Sequence, residues 1–350
     1  MSAAATKMEY VRLGRSGLKV SKLILGCMSY GNPKFMGNWV LPEEEASKQI
    51  KAAYDAGINA FDTADAYSNG LSEEVLGRAI KQHKFPRDEI VILTKVFLPV
   101  SRNPDESLFA PPPVLDSSRY TNQYGLSRKH IFDAVKNSLR RLQLDYIDVL
   151  QCHRFDPDTP IEETMQALHD VVKAGHARYI GMSSCYAWQF HAMQNYAINN
   201  NLTPFISMQN HYQLLYREEE REMMPTLKHF GVTAIPWSPL ARGALTRPLN
   251  GQGGSGRAAS DRISANLYLK SPANQAIVNR VEEIAKKRGI SMAQVSVAWV
   301  MSKDSVAAPI VGSNSLKNLE DLVAAVHIKL TEEEIKYLEE PYKPMPIIGH

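Results

Sequence analysis

Apolar runs of five or six residues, rich in Val and Ile, alternate along the chain with longer segments whose apolar positions recur every three or four residues. The first pattern fits a strand buried on both faces and the second an amphipathic helix packed against it. Their alternation marks βα units around a parallel sheet. Strands are predicted at 22–26, 57–62, 90–95, 147–152, 177–182, 205–209, 233–237 and 306–311. Helices are predicted at 43–56, 72–83, 128–143, 161–174, 187–199, 217–230, 274–303 in two pieces, and 315–326. Ser127 is a cap signal, and Pro160 a first-position signal, for the helices that follow them. Upstream, residues 10–13 and 18–20 flank Gly14-Arg15-Ser16-Gly17 and read as a β-hairpin.

Eight βα repeats after a hairpin imply an α/β fold, a (β/α)8 TIM barrel with its bottom plugged by the hairpin and long loops at the C-terminal face. An open, doubly wound sheet is the alternative, because counting strands does not prove closure. No linker divides the chain, so residues 1–350 are read as one domain: hairpin 9–21, barrel 22–328, C-terminal helix and tail 329–350. Connections 97–126 and 240–272 are too long for simple turns, and long loops in a compact domain are functional or disordered. The second contains Gly251 to Gly256, which satisfies G-x-G-x-x-G by letter. The dinucleotide fingerprint requires a preceding strand and a following helix; this stretch has neither and reads as a flexible loop.

Composition narrows the class. With 44% hydrophobic and 22% charged residues and a net charge of +3, the chain is an ordinary globular protein with no nucleic-acid footprint. The N-terminal MSAAATKMEY has no apolar signal stretch and no window approaches a membrane span, so a cytoplasmic protein without membrane contact is expected. Cys27, Cys152 and Cys185 lack ligand spacing, so neither disulfide nor metal is predicted. No patch in the sequence predicts an oligomer.

In a barrel, reactive groups gather where strands finish. Asp62 ends the second strand, with Tyr67 just beyond; Lys95 ends "VILTK" and His153 follows "IDVLQC". Each follows an apolar run, so all four should meet at one rim. Taken singly, Asp62 reads as a strand-end cap, Tyr67 as a rim aromatic, Lys95 as a snorkelling side chain and His153 as a satisfied polar residue. Four such groups at corresponding strand ends favour function. Asp62 would keep a buried Lys95 charged, and the ammonium would pull the Tyr67 phenol below its ordinary value near 10. A phenol so tuned is an acid–base group, with His153 to hold a substrate oxygen.

The residues also resemble a known family, the aldo-keto reductases, especially a fungal branch similar to aryl-alcohol dehydrogenases and versiconal hemiacetal acetate reductases. The resemblance runs through "LGRSGLKVSKLILG", "GINAFDTADAYSNGLSEEVLG", "VILTKV", "LDYIDVLQCHR", "ARYIGMSSC", "SMQNHYQLLYRE", "IPWSPLARGALTRP" and "PIVGSNSLKNLEDL". It implies a catalytic tetrad of Asp62, Tyr67, Lys95 and His153, with Tyr67 as general acid, and NADP(H) bound across the barrel top without a Rossmann fold. By position it implies cofactor contacts from Gly26, Cys27, Met28 and Asp62, a carboxamide grip from Ser183, Ser184 and Gln209, and a ring from Trp237 stacked on the nicotinamide. Ser238, Leu240, Arg242 and Gly243 fall at the pyrophosphate; Gly312, Ser313, Asn314, Lys317, Asn318 and Asp321 fall at the adenosine 2′-phosphate end. Ser184 stands where many members have Asn, Asn314 where Arg or Lys is frequent, and Leu322 where an adenine-binding Asn is common. Met28, Tyr30, Tyr67, Phe97, Leu98 and His153 should frame a substrate pocket.

The implied activity is NADPH-dependent reduction of small aryl or aliphatic aldehydes and ketones to alcohols, reversible as NADP+-dependent oxidation. A second expectation is a cofactor-sensing binding protein, as in the potassium-channel β-subunits that resemble this family. The intact tetrad and the lack of a partner-binding extension rank it lower.

Overall fold

Strands whose every residue is buried organise the fold, Val91–Val96 (β5) and Ile147–Cys152 (β6) being the longest of them. The computed structural model describes residues 8–106, 112–251 and 267–350. The hairpin is β1, Tyr10–Arg12, paired antiparallel with β2, Lys19–Ser21. The other strands are β3 (Ile24–Gly26), β4 (Ala60–Asp62), β7 (Ala177–Ser183), β8 (Phe205–Gln209), β9 (Thr233–Ala234) and β10 (Ile310–Val311). All eight after the hairpin are parallel, in the order β10-β3-β4-β5-β6-β7-β8-β9.

The ring closes between β9 and β10. Ala307 N donates to Ala234 O at 2.9 Å and Ile310 N to Pro236 O at 2.8 Å, which makes the sheet a (β/α)8 barrel rather than an open sheet. Both strands are shorter than the sequence pattern predicts, because Pro236 and Pro309 have no N–H for the ladder.

Around the strands lie α1 (Pro33–Met36), α2 (Glu43–Asp55), α3 (Leu71–Gln82), α4 (Pro112–Ser117), α5 (Arg128–Leu142), α6 (Ile161–Lys173), α7 (Ala187–Asn199), α8 (Met223–Phe230), α9 (Pro272–Arg288), α10 (Met292–Met301), α11 (Leu316–Ala324) and α12 (Glu332–Glu339). Most follow the predicted bounds to within one or two residues. Ser127 caps α5 as expected, accepting from His130 N at 3.2 Å. Pro160 sits one place early, as the cap residue of α6. The segment 217–230 is not one helix: a short turn at Glu218–Glu220 precedes α8, whose first turn contains Pro225, where a missing N–H is harmless. The long segment 274–303 breaks at Gly289, whose φ of 66° ends α9, and restarts at Ser291, which caps α10 reciprocally with Gln294. Most of the glycine-rich stretch after Gly251 lies outside the described residues.

Two apolar layers result. One lies between strands and helices; the other fills the barrel, where Leu13 and Val20 of the hairpin meet Ala60, Leu93, Val149 and Ile310. The hairpin is tied to the N-terminal end of β9 by Gly14 N on Thr233 Oγ1 (2.8 Å) and Arg15 N on Gly231 O (2.9 Å). The bottom is therefore plugged and only the C-terminal rim is left to hold a site.

One glycine sets a helix spacing. A Cβ on Gly77, inside α3, would lie 2.3 Å from the Leu142 carbonyl oxygen at the end of α5. Ala would favour the helix by up to about 1 kcal/mol, but a backbone carbonyl cannot swing aside, and overpacking costs roughly 1–3 kcal/mol. Gly77→Ala is expected to lower the urea midpoint; an unchanged or higher midpoint would disprove the close packing.

Candidate active site

Side chains on one face of a strand recur every second residue. Inside this barrel the sequence of that face changes character toward the rim: Ala60 is followed by Asp62, Leu93 by Lys95, and Val149 by Gln151. The register pairs Lys95 with Gln151 and Ser183 with Gln209, so the polar residues form one layer above the apolar one.

Asp62 is the hub of that layer. Lys95 Nζ donates to its Oδ1 at 2.6 Å, while Gln209 Nε2 (2.7 Å) and Gln151 Nε2 (3.0 Å) donate to Oδ2. Lys95 is 1% exposed and also donates to Thr63 O at 2.7 Å and to the Tyr67 hydroxyl at 3.3 Å. Such burial is tolerable for a charge only because both members of the pair have their hydrogen-bonding capacity engaged. Burial alone would lower the Lys95 ammonium, but Asp62 and Tyr67 together outweigh it and hold the group above its ordinary value. Tyr67 follows β4 by five residues, at the start of a tight turn in which Ser68 and Asn69 adopt left-handed backbone. His153 continues β6, its N–H donating to Val96 O at 2.9 Å, and its ring lies edge-on to Tyr67 at 5.8 Å. The four predicted residues are therefore one contiguous group.

The expected depression of the Tyr67 phenol is not what this arrangement gives. Burial raises it and Asp62 adds to that, and the downward pull of Lys95 and Arg154 does not compensate, so the phenol sits above its ordinary value. Sequence reasoning counted the ammonium and omitted desolvation. His153 is driven well below the usual imidazole range, by burial first and then by the Arg154 and Lys95 charges. Its Nδ1 is buried and neither ring nitrogen has a hydrogen-bond partner among the described residues. At neutral pH the site holds a neutral phenol, a neutral imidazole and an ammonium.

These groups stand at one end of a cavity of about 680 Å³. It runs from Tyr67, His153, Met28 and Leu98 past Trp237, along Ser238, Leu240, Arg242 and Gly243, to Gly312, Ser313, Asn314, Asn318 and Asp321 at the start of α11. Gly26, Asp62, Ser183 and Gln209 floor it. Trp237 is the end of a ring stack: His211 lies 4.1 Å behind it at 8°, and Tyr216 lies 4.4 Å behind His211 at 13°. His211 is pushed down to about 3, chiefly by burial, so this backing is uncharged. Its Nε2 meets the Tyr268 hydroxyl at 2.7 Å, and Trp237 Nε1 donates to Ser184 Oγ at 3.0 Å, which fixes the indole plane. Ser184, Ser238, Ala241 and Arg242 all have left-handed backbone without being glycine, a strain that concentrates at functional sites.

Six predicted residues do not line the cavity, among them Lys95, which is buried behind Asp62 and Tyr67. Cys27 and Tyr30 are fully buried in the layer between strands and helices, and Phe97 packs against that same layer. Ser184 acts through Trp237, and Lys317 is exposed on α11. Sequence reasoning missed Gln151, Arg154, Arg247, Phe35 and Trp39. Gln151 was discoverable as the inward neighbour of Lys95, and Arg247 lies only five residues after Arg242; Phe35 sits on the four-residue α1 and Trp39 in the turn after it, stretches too short for a periodicity to read.

The residues present fit a nicotinamide dinucleotide: a rigid aromatic face beside the acid–base group, two arginines along the middle, and a strand-to-helix turn beyond. The Ser313 and Ser315 hydroxyls of that turn are engaged with its own backbone, and Ser315 caps α11. Among the described residues no helix is long and apolar enough to cross a membrane, and no group of three His, Cys, Asp or Glu residues could hold a metal ion.

Comparison with known proteins agrees with the architecture. The profile of the Aldo/keto reductase family matches residues 22–343. The chain is 52% identical to the versiconal hemiacetal acetate reductase of Aspergillus parasiticus over 346 residues, covering 97% of this chain and 98% of that protein. It is also 52% identical to a Schizosaccharomyces pombe protein provisionally named an aryl-alcohol dehydrogenase, over 97% of each chain. Aldo-keto reductase AMT2 of Alternaria alternata is 46% identical over 100% of this chain and 95% of its own. Built on a barrel with its bottom plugged and its polar layer at the rim, and matched along nearly its whole length, the chain belongs to the aldo-keto reductase family.

Proposed function

We propose that the protein reduces aldehydes or ketones to alcohols with NADPH, with Tyr67 as proton donor, and runs in reverse when NADP+ and alcohol prevail. The observation that carries this reading is the contact of Lys95 with both Asp62 and the Tyr67 hydroxyl at one end of the cavity, beside the braced ring of Trp237. NADPH, when bound, supplies the hydride to the carbonyl carbon. Tyr67 transfers its hydroxyl proton to the carbonyl oxygen, and the phenolate left behind is stabilised by Lys95, whose own charge is held by Asp62. His153, neutral, donates a hydrogen bond to the carbonyl oxygen and orients it. Trp237 offers its free face to a flat ring, and Arg242 and Arg247 favour a phosphate-rich cofactor. Met28 and Leu98 give the reacting end apolar walls, which suit aryl or medium aliphatic carbonyl compounds.

The direction of the Tyr67 shift sets a pH dependence. Reduction needs the phenol protonated, and burial holds its proton past the ordinary tyrosine range. The kcat for reduction should stay level across neutral pH and fall only in strongly alkaline solution, while oxidation, which needs the phenolate, should climb over the same alkaline interval. Because His153 stays neutral, neither profile should bend near pH 6.5. A shared inflection there, in profiles measured in both directions, would contradict these protonation states.

Loss of NADPH absorbance on mixing with a panel of aldehydes tests the activity itself. Rapid, saturable consumption supports the reductase; tight NADPH binding without turnover on any aldehyde or ketone would favour a cofactor-sensing protein instead.

A further inference from the structure

Arg154 follows His153 directly and lines the reacting end of the cavity, where its charge pulls on Tyr67 and His153 yet forms no ion pair with an acid among the described residues. Among the described residues its one hydrogen bond is a 2.5 Å contact from Nη1 to the His153 carbonyl oxygen, which anchors one corner of the guanidinium and leaves its other donors without a partner among those residues. The side chain is partly buried, and that burial pulls its pKa below the ordinary arginine value without discharging it.

The carboxylates that could have balanced it are committed elsewhere. Asp156, two residues on, accepts from Leu126 N at 2.6 Å, from Thr159 Oγ1 at 2.7 Å and from Asp158 N at 3.0 Å. Asp62 is taken by Lys95, Gln151 and Gln209. Glu219 accepts from Asn210 Nδ2 at 3.1 Å. Among the described residues no carboxylate forms an ion pair with Arg154, although Arg87, Arg141, Arg217 and Arg288 all have one at 3.0 Å or less. Even a partly buried cation without a counter-ion costs free energy unless solvent or something outside the chain completes it.

Resting on the reductase reading, we propose that Arg154 is a specificity-determining residue that selects carbonyl compounds carrying a carboxylate, the anion pairing with the guanidinium while the carbonyl meets Tyr67 and His153. The guanidinium fork matches a carboxylate in a way that an ammonium does not. Cofactor phosphates are not the natural partner, because Arg242 and Arg247 line the cavity alongside Gly243, whereas Arg154 is next in sequence to the imidazole that holds the substrate. With Met28, Leu98 and Trp237 as walls, the favoured substrate has an apolar, ring-sized body and one acidic substituent.

The test compares 2-, 3- and 4-formylbenzoate with the matching formylbenzamides, which have nearly the same size and no charge, under saturating NADPH. For at least one isomer the wild type should show a kcat/KM roughly 10- to 100-fold higher for the acid than for the amide, expressed mainly in KM. Arg154→Gln should bring that ratio close to one, and Arg154→Lys should restore part of it. A wild-type ratio near or below one for all three isomers would overturn the proposal while leaving the reductase intact. So would a ratio unchanged in Arg154→Gln, or an equal loss on acid and amide with a raised KM for NADPH, which would assign the guanidinium to the cofactor. Absence of turnover on every aldehyde would sink the reductase reading itself, and this proposal with it.

Discussion

Tyr67→Phe is expected to lower kcat for carbonyl reduction by roughly 10²- to 10⁴-fold, the range over which a positioned general acid acts, while the NADPH dissociation constant stays within a few-fold of wild type. The substitution deletes one hydroxyl and keeps the ring that faces His153 edge-on at 5.8 Å. It removes only the weakest of the three bonds from Lys95, the 3.3 Å contact, and leaves those to Asp62 and Thr63. The fold and the stack behind Trp237 are untouched, so binding and chemistry should separate. The result is read by stopped-flow NADPH oxidation and by quenching of tryptophan fluorescence on cofactor titration. Turnover within a few-fold of wild type would show that some other group delivers the proton.

Lys95→Met should damage stability as well as rate. The ammonium, fully buried, is among the described residues the only cation bonded to Asp62; without it the carboxylate keeps, from those residues, the two amide donors of Gln151 and Gln209. Breaking one half of a buried pair costs about 3–5 kcal/mol, since an uncompensated charge remains. Replacing both members removes that charge, so the double variant Asp62→Asn with Lys95→Met should recover much of the lost stability. It should recover none of the activity, because the phenolate formed in the reaction would still lack its cation. Urea denaturation and turnover, measured on both variants, would thus move in different directions. A double variant as unstable as the single one would show that the ion pair is not the source of the effect.

The same contrast separates what could be read in the letters from what could not. The grouping of Asp62, Tyr67, Lys95 and His153 was legible because Asp62, Lys95 and His153 close apolar runs, Tyr67 lies five residues beyond one, and a parallel strand ends at a fixed rim. Gln151 was in principle legible too, since it shares the inward parity of Val149, but a glutamine inside an apolar strand gives no signal until its register against Lys95 is known. Arg154 illustrates a different limit. Its neighbour His153 marks the position, yet whether the guanidinium meets an acid depends on where Asp156 turns, and that is decided by bonds to Leu126, Asp158 and Thr159. Cys27, Tyr30 and Phe97 lie beside the rim in sequence and face the helices in space, because irregular segments lose the two-residue alternation that assigns a side chain to a face.

The sequence by itself determined the repeating βα order, the hairpin before it, and the four ionisable residues that strand ends would carry to one rim. These follow from short-range periodicity, which is local and additive along the chain. The tertiary structure alone decided closure of the ring across Ala234, Pro236, Ala307 and Ile310, the backing of Trp237 by His211 and Tyr216, and the upward rather than downward shift of Tyr67. Each of those depends on groups far apart in the chain and on how much water is excluded between them, and desolvation is a property of the enclosed volume that no spacing of residues encodes.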